Sequence, residues 1–323
     1  MKTLCRVALV ALSLGLLDVV PAAAQTQYPD RPIRIVVGFT PGGGNDIIAR
    51  VFGQKLSESL GQPVIIENKP GAGAMLATEY VARSAPDGYT LLVGASGAMT
   101  ISPAVYEKIN YDTMRDFKPV SELGSFPLIL IVNAKSEFKS LADLVAYAKA
   151  NPDKANYSSA SAAFQLATEL FKQKTGAPMQ MIPYKGANDS VTAVISGEVT
   201  ATIADAGPVI SQVNGGTARA LAVAAPTRAE SLPDVPTMKE AGADVEAVLW
   251  SGIFVPAATP SDIVSKLEAE FIRIARLPDV VSRLKQLNID SVGNSSEEFS
   301  RIIAADLERW KAVARTGNIK IVQ

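Results

Sequence analysis

The sequence predicts an α/β protein of two lobes, each a mostly parallel sheet flanked by helices, with two strands crossing between the lobes. Three observations carry this prediction. Short apolar, β-branched runs alternate with helical patterns, the signature of parallel strands joined by crossover helices. Glycine-rich turns follow the first three of those runs. Two extended apolar segments, 126–132 and 247–256, fall where the chain would pass from one lobe to the other.

The strands read as 33–37, 64–67, 90–93, 128–132, 155–158, 180–183, 201–203 and 219–224. Between them lie helical patterns at 46–60, 75–84, 141–151, 163–176 and 187–196. Several helix starts are explicit. Ser140 with Asp143 forms a capping pattern, and Ser295 with Glu298 forms another. Thr259-Pro260-Ser261-Asp262 sets proline at the first helical position, where its missing N–H costs nothing. Phe299, Ile302, Ile303 and Trp310 recur at helical spacing and read as a core-facing stripe. If both apolar segments cross, lobe 1 comprises 25–126 and 250–323, and lobe 2 comprises 127–249. A cleft between two such lobes is a usual place for a ligand.

Residues 1–24 are expected to be a cleaved signal peptide. Lys2 and Arg6 make a positive start, a short apolar core holding Asp18 follows, and Ala22-Ala23-Ala24 offers a small-residue cleavage site. Cleavage removes Cys5, the only cysteine, and the chain has no histidine. The remainder carries 29 basic and 31 acidic residues, a net charge of −2, so nothing drives nucleic-acid binding. Disulfides, thiolate ligands and a Cys/His zinc site are excluded. So is a Ser-His-Asp triad, although Gly94-Ala95-Ser96-Gly97-Ala98 approaches a nucleophile elbow. No cofactor and no metal are expected.

The most informative segment is 33–50. A buried strand runs into Phe39-Thr40-Pro41-Gly42-Gly43-Gly44, and a helix opens at Asn45 or Asp46. Glycines let a ligand approach the backbone closely, and the N–H groups of a helix N-terminus favour an anion. The spacing is neither Gly-x-Gly-x-x-Gly nor a Walker A loop, which argues against nucleotides. A second turn, 68–74, and a third, 94–100, belong at the same sheet edge, where open α/β sheets bind ligands. In the middle of the chain, 156–167 is again strand, small polar turn and helix, and could face the first turn across the cleft. Pro183-Tyr184-Lys185-Gly186 and Ala204-Asp205-Ala206-Gly207-Pro208 follow two further strands.

Taken together, these segments resemble a known family. Pro32–Asp46, Glu67-Asn68-Lys69-Pro70-Gly71-Ala72-Gly73, Pro86-Asp87-Gly88-Tyr89-Thr90-Leu91-Leu92, Pro183-Tyr184-Lys185-Gly186, Leu232-Pro233-Asp234-Val235-Pro236-Thr237 and Trp250-Ser251-Gly252 look like the extracytoplasmic receptors of tripartite tricarboxylate transporters, the Bug family. The resemblance covers nearly the whole chain after residue 24. It implies a periplasmic, two-lobed receptor of the type II binding-protein fold and not an enzyme. It implies a small organic carboxylate held by backbone N–H groups, hydroxyls and waters, and delivery to the membrane components of a transporter. A monomer is expected. The same bilobal shape would also suit a sensor or interaction module without transport, or a carboxylate-metal-dependent enzyme.

The expected contacts are Phe39, Thr40, Gly43, Asn45, Asp46 and Ser96 from one lobe. From the other they are Ser161, Ala162, Ala163, Gln165 and Asp205. Asp46 is read as a helix cap or as a partner for a ligand amino or hydroxyl group. The chain departs from the family at Gln165, where a histidine is common, and at Ala160-Ser161-Ala162-Ala163. Met99 and Phe164 turn the expectation toward an aromatic or less polar carboxylate and away from citrate.

Overall fold

The computed structural model describes residues 28–184 and 186–320; the expected signal peptide and Lys185 lie outside them. The chain opens with β1 (Ile33–Val37), α1 (Gly44–Leu60), β2 (Val64–Asn68), α2 (Met75–Ala82) and β3 (Thr90–Ala95). Two short helices follow, α3 (Ser102–Val105) and α4 (Thr113–Asp116), and then the long strand β4 (Phe117–Asn133). The middle of the chain holds α5 (Leu141–Ala150), β5 (Asn156–Ser159), α6 (Ala162–Thr175), β6 (Gln180–Pro183), α7 (Ala187–Ser196), β7 (Ala201–Asp205), α8 (Ala206–Asn214) and β8 (Ala218–Val223). The chain returns through β9 (Val248–Pro256) and closes with α9 (Ser261–Ala275), α10 (Pro278–Lys285), β10 (Asp290–Ser291) and α11 (Ser296–Thr316).

Two parallel groups form, β2-β1-β3 and β6-β5-β7. β1 is buried at Ile33, Ile35, Val36 and Val37, the near-continuous apolar pattern of a strand covered on both faces. The connecting strands run antiparallel to their neighbours. Along Phe117–Pro127, β4 pairs with β9; from Leu128 onward its partners are β7 and β8. The partner change at Pro127/Leu128 is where β4 passes from one group to the other. Just before β9, Ala247 N–H donates to the Ala224 carbonyl at 2.9 Å, tying the returning chain to the end of β8.

Each group has its own core. Ile33, Ile35, Phe52, Leu91 and Phe271 belong to the first, and Leu130, Tyr157, Leu166 and Phe171 to the second. Helix α11 joins them. Its first half packs Phe299, Ile303 and Leu307 against Val36, Leu92, Trp250 and Phe254. Its second half places Trp310, Val313 and Ala314 in the cluster of Tyr157 and Phe171. The expected division put all of 250–323 with lobe 1, whereas α11 grips both hydrophobic clusters. The core stripe read from its sequence is present, with Phe299, Ile303 and Trp310 buried and Ile302 partly so.

One element was missed and two local expectations are corrected. Helix α8 was not legible in the sequence. Pro260 stands one position before α9 with an extended ψ of 142°, so the helix starts at Ser261. The strand expected at 128–132 is the end of a strand of 17 residues. The Ser140–Asp143 capping box is complete in both directions, and Ser295 accepts from Glu298 N–H at 3.1 Å.

Candidate functional site

A cleft of about 740 Å³ opens where the C-terminal ends of the parallel strands from both groups face each other. That volume suits a small molecule. The turns after β1, β2 and β3 contribute Phe39, Gly42, Gly44 and Asn45, then Gly73, then Ala95, Ser96 and Gly97. Opposite them, the turns after β5, β6 and β7 contribute Ala160 to Phe164, then Ala187, then Asp205 to Pro208.

The chemistry of this wall is that of helix N-termini. Helices α1, α6, α7 and α8 each bring a first-turn residue to it: Gly44 and Asn45, Ala162 and Ala163, Ala187, and Ala206 and Gly207. First-turn N–H groups have no partner inside their helix, and the dipole behind them favours negative charge. At the first turn of the wall, Gly42 takes φ +88°, a conformation that side chains rarely adopt. A Cβ on Gly44 would stand 3.1 Å from the Phe126 ring, so glycine also keeps the cleft wall close.

Hydroxyls and one amide complete the donor set. Ser96 is buried, and its Oγ accepts from the backbone N–H of Trp250 at 3.2 Å, which leaves its O–H to donate. Ser161 caps α6 by accepting from Phe164 N–H at 3.4 Å, and its O–H is likewise left to donate. Asn45 accepts from the Ser251 hydroxyl through Oδ1, which directs its amide N–H₂ elsewhere. After β3 the chain winds through a π-helical turn, Gly97–Ile101, of the kind often found beside functional sites.

Not every candidate residue meets the cleft. Phe39, Asn45, Ser96, Ser161, Ala162, Ala163 and Asp205 line it together. Thr40 and Gly43 are exposed outside it, Gly43 as the N-cap of α1. Gln165 lies past the first turn of α6, where its N–H donates to the Ser161 carbonyl at 3.0 Å.

Asp46 faces inward and braces the turn. Its carboxylate accepts from Gly42 N–H at 2.9 Å, Arg50 Nε at 2.8 Å and Asn68 Nδ2 at 2.9 Å. Asn68 Nδ2 also donates to the Phe39 carbonyl at 3.0 Å, so both ends of the glycine turn are tied to β2. Burial pushes the Asp46 carboxyl up, but the bonds from Arg50, Gly42 and Asn68 outweigh it and hold the group below the ordinary carboxylate range. Met99 is fully buried in the core beside Phe254 and takes no part in the cleft, whereas Phe164 does line it.

A model of the tripartite tricarboxylate transporter family receptor matches residues 48–319. The chain belongs to that receptor family. Protein BugT of Bordetella pertussis is 36% identical over 305 residues, covering 93% of this chain and 93% of the relative. Among solved structures, Rhodopseudomonas palustris Rpa4515 with adipate matches with a TM-score of 0.78 and 32% identity, over 92% of this chain and 100% of that one. MatC from the same organism, with bound malate, matches with a TM-score of 0.73 and 30% identity, over 88% and 99%. The family is one of solute-binding receptors with the two-lobed periplasmic binding-protein fold.

For this receptor, the sequence reading missed much of the cleft wall. Ile101, Tyr106, Phe126 and Leu249 contribute apolar surface, and Leu287 to Ile289 close one side from the loop after α10. No periodicity announces that loop; Asn288 at φ +58° is the nearest to a signal, since asparagine tolerates the left-handed region. Among the described residues no group of three or more Cys, His, Asp or Glu could hold a metal. None of their helices is long and apolar enough to cross a membrane.

Proposed function

We propose that this chain captures a small organic carboxylate in the cleft and hands it, unchanged, to the membrane components of a tripartite tricarboxylate-type transporter. It does so as a monomer in the periplasm, after removal of residues 1–24. The supporting observation is the convergence of four helix N-termini, with two serine hydroxyls, on a wall that bears no cationic side chain among the described residues. An anion is held there by neutral donors fixed in advance, so no arginine fork is needed. Relatives of the same fold bound to adipate and to malate agree with this chemistry. Among the described residues no cleft serine hydroxyl is hydrogen-bonded to a basic side chain, which supports binding without turnover.

A thermal-shift screen of the mature chain against organic acids tests this. A ligand that binds only the folded state raises Tm, by about 2.7 kcal/mol of added stability at a hundredfold excess over Kd. A panel of aliphatic, aromatic and amino-bearing carboxylates that leaves Tm unmoved, with calorimetry also silent, overturns the proposal.

A further inference from the structure

Asp205 is the only charged side chain on the cleft wall among the described residues, and it is an acid. It ends β7, pairs with Leu128 of β4 and stands at the N-cap of α8. An aspartate at that position ordinarily accepts a hydrogen bond from its helix, but the Asp205 side chain makes no such bond. Burial pushes its carboxyl up to about 6, with no described neighbouring charge contributing.

The contrast with Asp46 is instructive. That carboxylate has three donors and holds a turn in place. Asp205 makes no cap hydrogen bond and has no equivalent set of donors among the described residues, and an ionised carboxylate in a partly desolvated wall is costly unless something pairs with it. The surrounding surface offers Phe39, Ile101, Phe126, Phe164, Leu249 and Trp250, which welcome an apolar body and would not solvate a second carboxylate. A second carboxylate could take only the neutral donors of the wall and would leave the Asp205 charge without a partner, whereas an ammonium supplies one.

We propose that the cleft selects a ligand carrying both a carboxylate and an amino group on an apolar body, with the ammonium at Asp205 and the carboxylate across the cleft at the N-terminus of α1 and the Ser96 hydroxyl. The proposal rests on the receptor reading above and names its ligand class. Asp205 is then a specificity residue that supplies the one fixed charge in an otherwise neutral site. A plain dicarboxylate lacks a partner for it, and an amine without a carboxylate lacks a partner for the helix ends.

Calorimetry on the mature chain tests the assignment with matched pairs: phenylalanine against 3-phenylpropanoate, and leucine against 4-methylpentanoate, with adipate and malate as references. The expected result is at least tenfold tighter binding of the amino-bearing member of each pair. Asp205→Asn, checked for folding by circular dichroism, is expected to abolish that preference by weakening the amino-bearing members and leaving the others unchanged or tighter. Lys185 precedes α7 in the sequence and lies outside the described residues, so Lys185→Met is measured alongside. An unchanged preference in that variant keeps the assignment at Asp205. A loss equal to that of Asp205→Asn overturns it, because a pair would then carry the selectivity. Wild-type protein that binds adipate, malate or the desamino acids as tightly as the amino acids overturns this inference alone. Silence toward every carboxylate overturns the receptor reading as well.

Discussion

Asp46 and Glu122 show how differently two buried carboxylates can serve one fold. Asp46 holds the turn after β1 through Gly42, Arg50 and Asn68. Asp46→Ala is expected to cost about 1–3 kcal/mol in urea denaturation, because it leaves several donors without their acceptor. It is also expected to weaken all carboxylate ligands by a similar factor, since the side chain acts on the turn and not on one ligand group. A selective loss of amino-bearing ligands would place Asp46 in contact with them instead. With its carboxyl held below the ordinary range, Asp46 stabilises the fold above that range, and its contribution disappears as pH falls through the lowered value.

Glu122 behaves in the opposite sense. Burial pushes it up to about 7; the Asn294 amide pulls it down, while Asp306 and Glu298 add to the rise. Unfolded, the same group titrates near 4.5. Between those values the native state binds more protons, so stability falls as pH rises across the window. Glu122→Gln is expected to flatten that slope, gaining up to about 3 kcal/mol on wild type between pH 4.5 and pH 7 in paired denaturation series. At this scale the sequence revealed residue types but not their directions. Asp46 sits next to cleft residues in the chain and Met99 two positions from them, yet both turn inward, because the helix and the π-helical turn that carry them present only part of their circumference to the cleft.

Among the elements, the most legible were those whose signals are local. β1 is a buried β-branched run, and the Ser140–Asp143 box starts α5 by reciprocal bonds within four residues. Helix α8 was hidden because Ala206-Gly207-Pro208 reads as a loop; a proline is tolerated in the first turn, where its absent N–H loses no bond. The full length of β4 was hidden by Pro119, Gly124 and Pro127; register shifts against β9 fall beside the first two, and Pro127 is the last residue paired with β9 before the partners change. Glycine inside β9 marks a close approach instead. A Cβ at Gly252 would meet the Phe299 ring at 2.3 Å and the Ser121 carbonyl at 2.8 Å. Gly252→Ala is therefore expected to destabilise by about 1–3 kcal/mol, read as a lower urea midpoint. Gly97→Ala, where an added Cβ meets nothing within 4 Å, is the control and should keep its midpoint. Equal midpoints in the two variants would show that β9 and α11 can separate at no cost.

On the scale of the whole molecule, the cleft and the connection between lobes meet at Trp250. Its backbone N–H donates to Ser96, its indole N–H donates to Asp306 of α11 at 2.7 Å, and its neighbour Ser251 donates to Asn45. With Ser251, the residue thus ties the cleft turns of one lobe to the helix that packs on both cores. None of this long-range convergence is written in local periodicity, because α11 carries the same kind of apolar stripe whichever core it meets. The protein has two tryptophans, and the other, Trp310, is buried in the second core away from the cleft wall. Ligand entry and lobe closure should therefore change the surroundings of Trp250 and leave those of Trp310 nearly as they were. Trp310→Phe protein is expected to keep a ligand-dependent change in fluorescence emission, and Trp250→Phe to lose most of it. The reverse pattern would mean that α11 shifts against the second core when ligand binds, placing the hinge at the far end of that helix and not at β4 and β9.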